Sequence, residues 1–186
     1  MILQDTIKEI SRNAAQSLIN ISDIGAKDII TFPIDCALLE DFNNIDIRKS
    51  INFEIHFDAL QKMTGPCLYF FEILSDHIPQ EIISKIREYS LTEKSRATPA
   101  IKSKIPESKI LYVGKVKRLM FGRLIQHLGY FPTSATQGLQ LFYWTSSLNL
   151  KLQLTVLEFE PEMINLMEVL ENELAKKLKP ILGKHK

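Results

Sequence analysis

The chain has 186 residues, 45% hydrophobic and 24% charged, which fits about one ordinary globular domain and excludes disorder of the whole chain. Its formal net charge of +1 names no partner by itself. No apolar run approaches the ~18–20 residues of a membrane helix, because Leu68-Tyr69-Phe70-Phe71 is broken at once by Glu72.

In chain order, residues 1–19 read as an amphipathic helix, with Leu3, Ile7, Ile10, Ala14 and Leu18 at helical spacing. Residues 50–57 read as a half-buried strand in which Ile51, Phe53, Ile55 and Phe57 alternate with polar positions. Thr64-Gly65-Pro66 is a turn signal ahead of an apolar strand over 67–74. Residues 78–89 read as helix, and the Lys-, Ser-, Thr- and Pro-rich stretch 91–105 as loop. A strand follows over 109–116, then a helix over 119–129 stopped by Gly129, with Pro132 beyond it. Residues 139–145 and 150–159 look extended, and a last helix over 162–178 is closed by Pro180. These elements favour an α+β fold with helices over a small sheet.

The charge is unevenly spread. Residues 1–60 carry ten acids against five bases, whereas residues 94–126 carry nine bases against Glu107 alone. The last eleven residues add five lysines and no acid. Two basic blocks suit a polyanion-binding face, since phosphate contacts release condensed counterions; solvated surface is an even alternative. The N-terminus lacks the basic-then-apolar order of a signal peptide, and Cys36 and Cys67 are too few for a disulfide framework or a four-thiolate zinc site. A cytoplasmic protein with reduced thiols is the expectation.

No phosphate loop, dinucleotide fingerprint, His-Glu-x-x-His or calcium loop is present. The chemistry-bearing residues are dispersed: Tyr69, Tyr112, Arg123, His127 and Glu171. On a helical wheel Phe121, Leu124, Ile125 and Leu128 form one apolar stripe, with Arg123 and His127 together on the opposite side. In the last helix Met163, Met167, Leu170, Leu174 and Leu178 form the buried stripe, and Glu171 is the acid nearest to it. A carboxylate there is costly unless it is paired or ligates a metal, with snorkelling to solvent or pairing with a lysine as equal alternatives. Tyr143 and Trp144 read as packing residues ahead of base-stacking ones.

Taken in order, Cys67-Leu68-Tyr69, Tyr112-Val113-Gly114-Lys115, Arg123, His127 and Glu171 through Lys179-Pro180-Ile181-Leu182 resemble the GIY-YIG nuclease family over about residues 61–186. The resemblance implies a small three-stranded antiparallel sheet flanked by helices, and divalent-metal-dependent hydrolysis of DNA phosphodiesters. It implies Glu171 as the sole protein ligand of magnesium or manganese and Arg123 as the group that neutralises phosphate charge. Tyr69 and Tyr112 would position or deprotonate the attacking water, Lys115 would supply a nearby cation, and His127 matches a branch in which a His shares the general-base work. Lys102, Lys104, Lys117 and Arg118 join Lys115 as DNA-contact candidates. Residues 1–60 become an N-terminal extension of helix plus strand, and about 76–108 an insertion between the half-motifs. Double-strand cutting would need two protomers, which admits a homodimer.

Three positions depart from the pattern: Cys67 replaces the first glycine, Arg123 lies one residue late with Gly122 in the commoner place, and Gly183 replaces the terminal Asn. The alternative reading is a weakened or inactive nucleic-acid-binding module on the same fold.

Overall fold

The computed structural model describes residues 2–41, 45–93, 95–132 and 137–184. Ten regular elements follow in order: α1 (Ile2–Ile24), β1 (Asp28–Asp35), α2 (Glu54–Gln61), β2 (Cys67–Ile73), α3 (Pro79–Ser90), β3 (Ile110–Val116), α4 (Met120–Leu128), α5 (Leu141–Trp144), β4 (Lys151–Glu158) and α6 (Met167–Leu178). The fold is α+β, built on a sheet in the order β1-β4-β2-β3 with every pairing antiparallel. Among the described residues, no helix is long and apolar enough to cross a membrane.

The sheet has four strands rather than three, because β1 adds to β4 along its whole length. Pro33 sits inside β1 and breaks the pattern of a central strand. It is tolerated because β1 lies at the sheet's edge, where a missing N–H costs no ladder bond on the open side. Phe32 and Ile34 face the core opposite Leu154 and Leu152. The acidic N-terminal segment thus contributes to the main sheet.

Alternation along the strands separates two faces. Tyr69 and Phe71 of β2, Tyr112 of β3 and Leu152, Leu154 and Val156 of β4 point into the larger core, with α2, α3, α4 and α5. Leu68, Phe70 and Val113 point the other way, under α6 and the C-terminal half of α1. The register slips by one residue between Phe71 and Glu72, so Leu111 and Tyr112 both reach the larger core. Cys67 is fully buried on that face.

Two expected strands are helical. Residues 50–57 form a turn leading into α2: Phe53, Phe57 and Leu60 are buried at helical spacing, while Ile51 and Ile55 are exposed. The apparent alternation mixed inward and outward residues. Residues 139–145 fold as the single turn α5, closed by Trp144 Nε1–H donating to the Leu139 carbonyl and Thr145 Oγ1–H to that of Leu141. Trp144 is packed in the core, and Tyr143 stacks on Tyr89 beneath the Arg96 guanidinium. The last helix begins late, after a 3-10 turn over Pro161–Asn165. Residues 91–105 are irregular where described, apart from a bridge between Ile101 and Leu182.

Ile34 is fully buried, so Ile34→Ala should cost about 2–5 kcal/mol of the main unfolding transition in urea. A loss confined to a separate minor transition would show that β1 does not share the core's cooperativity.

Candidate active site

Tyr69 occupies the middle of β2, opposite Gly114 on one side and Val156 on the other. Its ring is fully buried between the sheet and α4. A Cβ at Gly114 would stand 2.7 Å from Tyr112 Cε1 and closer still to the Tyr69 hydroxyl. The glycine of Tyr112-Val113-Gly114 is therefore required by space: the Tyr69 ring lies across it.

The Tyr69 oxygen accepts the Arg123 Nε–H at 2.9 Å and lies 2.9 Å from His127 Nε2. The backbone N–H of Leu139 donates to His127 Nδ1 at 3.1 Å, which places the ring proton on Nε2 and makes His127 a donor to Tyr69. Both imidazole nitrogens are thereby occupied, and the ring has no open lone pair with which to accept a proton from water. His127 is fully buried, contrary to the expected outward face, because α4 turns Met120, Leu124, His127 and Leu128 toward the core. The rings of Tyr69, Phe71 and Tyr112 surround it at 5.2–5.3 Å between centroids. Burial, with repulsion from Arg123, holds its pKa well below 6.5.

Burial also raises the Tyr69 phenol above its ordinary range. Tyr112 adds to the rise, the adjacent guanidinium opposes it, and the Glu171 charge raises it again. Tyr69 is therefore a neutral phenol at physiological pH. Burial pulls the Arg123 guanidinium down, but the oxygens of Tyr69 and Tyr112 outweigh it and the net shift is upward. The fork is fixed further by NH1, which donates to Gln126 Oε1 at 2.7 Å and to the Gln137 carbonyl at 2.9 Å.

Lys115 and Glu171 lie on the other face of the sheet, where α6 packs against β3. Glu171 is 8% exposed and its Oε2 forms an ion pair with Lys115 Nζ, while Oε1 accepts no hydrogen bond among the described residues. Glu171 is thus the acid of its helix nearest the core, as its position on the wheel implied. The remaining cation candidates separate: Lys104, Lys117 and Arg118 are exposed, while Lys102 is half-buried beside the bridge at Ile101, its ammonium pulled down by burial.

Gln126, Gln137, Gly138 and Leu139 belong to this site and carried no motif. A Cβ at Gly138 would stand 2.9 Å from the Gln126 carbonyl carbon, so the loop touches α4 backbone to backbone. The loop is braced in turn by residues 96–98: Gly138 N–H donates to the Ala97 carbonyl and Gln137 Nε2 to that of Thr98. Only the i, i+3 spacing of Arg123 and Gln126 on one helix face was a signal in the chain itself.

Compared with known proteins, the chain matches no family model, no curated protein and no solved structure.

Two outcomes follow from this geometry. Gly114→Ala should destabilise the protein by about 1–3 kcal/mol, read as a lower urea midpoint, because the Tyr69 ring must leave its place. A neutral buried His127 means that the unfolded chain takes up a proton near pH 6.5 that the folded chain refuses. Its contribution is therefore present above that pH and is lost as pH falls, at about 1.4 kcal/mol per pH unit. His127→Gln should flatten the fall of Tm between pH 7.5 and 5.5; an unchanged slope would assign it to other groups, such as the half-buried His56.

Proposed function

We propose that the chain is a divalent-metal-dependent DNA endonuclease of the GIY-YIG type, with Tyr69, Tyr112, Arg123 and Glu171 at its active site. One observation carries this reading. Arg123 of α4 bonds the buried Tyr69 of β2 beside Tyr112 of β3, while Glu171 of α6 lies on the opposite face of the sheet, paired with Lys115, the residue after Gly114.

Glu171 suits a magnesium or manganese ion held by one carboxylate and otherwise by water: it is an oxygen donor, close to the core, with Oε1 open. Among the described residues no cluster of three His, Cys, Asp or Glu side chains offers a protein-rich metal cage. When bound, the ion supplies charge to a phosphate oxygen and acidity to a coordinated water.

The protein's own groups divide the rest. Arg123, held at Nε by Tyr69 and at NH1 by Gln126 and Gln137, presents a fixed guanidinium to the charge that builds on phosphate. Tyr112, half-buried, is the phenol with access to water and is assigned to the nucleophile. Tyr69 remains neutral and orients Arg123. His127, with both nitrogens engaged, is a positioning residue for Tyr69 and not the base. Exposed Lys104, Lys117 and Arg118 contribute counterion-releasing contacts to the DNA backbone.

The competing reading, a non-cleaving DNA-binding module, draws on Gly183. It adopts φ 109°, donates its N–H to the Ala100 carbonyl, and brings no side-chain amide where the family has Asn.

Nicking of supercoiled plasmid with magnesium, manganese or chelator separates the two. Metal-dependent nicking should fall about a thousandfold or more in Glu171→Ala with DNA affinity retained. Steeply salt-dependent binding without cleavage of plasmid, branched or single-stranded DNA in either metal would select the binding module.

A further inference from the structure

Helix α1 spans 23 residues, about 34 Å, yet only its second half is packed. Leu18 and Ile21 rest on Leu68, Phe159, Met163 and Met167. The first half projects, leaving Leu3 75%, Ile7 52% and Ile10 58% exposed. Residues 3–13 are all exposed, and a helix segment of that length is marginal in water, so its apolar stripe calls for something to pack on it.

The spacing specifies what. Positions 3, 7, 10, 14, 17, 21 and 24 read Leu, Ile, Ile, Ala, Ser, Ile, Ile at strictly alternating intervals of four and three, the narrow seam of a two-helix coiled coil. The partner is therefore a helix. Gln4, Thr6, Ser11 and Asn13 flank the exposed part, all uncharged, while Asp5, Lys8, Glu9 and Arg12 lie more than about 120° from the seam. Charged flanks select a different partner or repel a like one; neutral flanks let a surface meet itself. Two acids against two bases, with no aromatic residue among positions 2–14, argue against a membrane surface, which favours basic and aromatic-rich faces.

We infer that the projecting half of α1 is a self-association surface, on which a second copy of this chain lays its own α1 antiparallel about a two-fold axis near Ile7. Leu3 of each copy then meets Ile10 of the other, and the pairing is isologous and closed. The seam runs on through half-buried Ala14 and Ser17 to Ile21, which packs on the body of the protein, so dimerisation extends existing packing and fixes the helix over its full length. This surface does not depend on the nuclease reading.

Light scattering of the full chain at about 100 μM should give twice 21.4 kDa. Ile7→Lys with Ile10→Lys should weaken self-association at least about a hundredfold, because each copy would bury charges without partners. Lys8→Ala, off the seam, should leave it intact. As a second measurement, Ile7→Cys should cross-link to itself under mild oxidation far better than Leu3→Cys, with native Cys36 and Cys67 buried and silent. A wild type that stays at 21.4 kDa overturns the proposal, whether or not it sediments with anionic vesicles. So does a double lysine variant that remains dimeric, or equal cross-linking from positions 3 and 7.

Discussion

The oxygen of Tyr69 is the point around which the candidate site is organised. It sits in the middle of a central strand, under a helix, where water cannot compensate a missing bond. Two N–H donors from successive turns of α4 converge on it. For both to arrive, α4 must lie with Arg123 and His127 turned toward the sheet, and β3 must leave room beneath the ring. Gly114 supplies that room. A single buried phenol thus constrains the helix's rotation, the strand's register and the identity of a glycine.

The same constraint runs outward through the loop after α4. Leu139 fixes the imidazole tautomer, and the Gln137 carbonyl holds the Arg123 fork. Those backbone groups are in turn tied to Ala97 and Thr98, and Arg96 donates to the Phe131 carbonyl while lying over the Tyr143 ring. The segment between β2 and β3 therefore acts as a brace for the site. Within one short stretch of it Lys102 is half-buried and Lys104 exposed.

Periodicity made the central parts of this fold legible. β2, β3, α3, α4 and the acid nearest the core on the last helix follow from patterns long enough to have one reading. The failures share a cause. Four apolar residues at every second position over 50–57 satisfy a strand template, yet only Phe53 and Phe57 are buried, with Leu60 completing a helical face. β1 was hidden because Pro33 and only two fully buried residues make an edge strand look like a loop. His127 was placed on the outer side of α4 because the wheel counted apolar residues, whereas a ring satisfied at both nitrogens is also at home in a core. The bracing loop was invisible because it acts through backbone groups, which no side-chain pattern reports.

Glu171 and Tyr69 belong to opposite faces of the sheet, and this separation has a chemical consequence. A carboxylate beside a buried phenol would simply hold its proton in place. With the sheet between them the Glu171 charge still raises Tyr69, but its own partner is Lys115, one residue beyond the glycine. The Lys115 ammonium neutralises a carboxylate that would otherwise be buried without a partner. On the nuclease proposal, Glu171 would hold the cation and the ion would compete with Lys115 for the same charge.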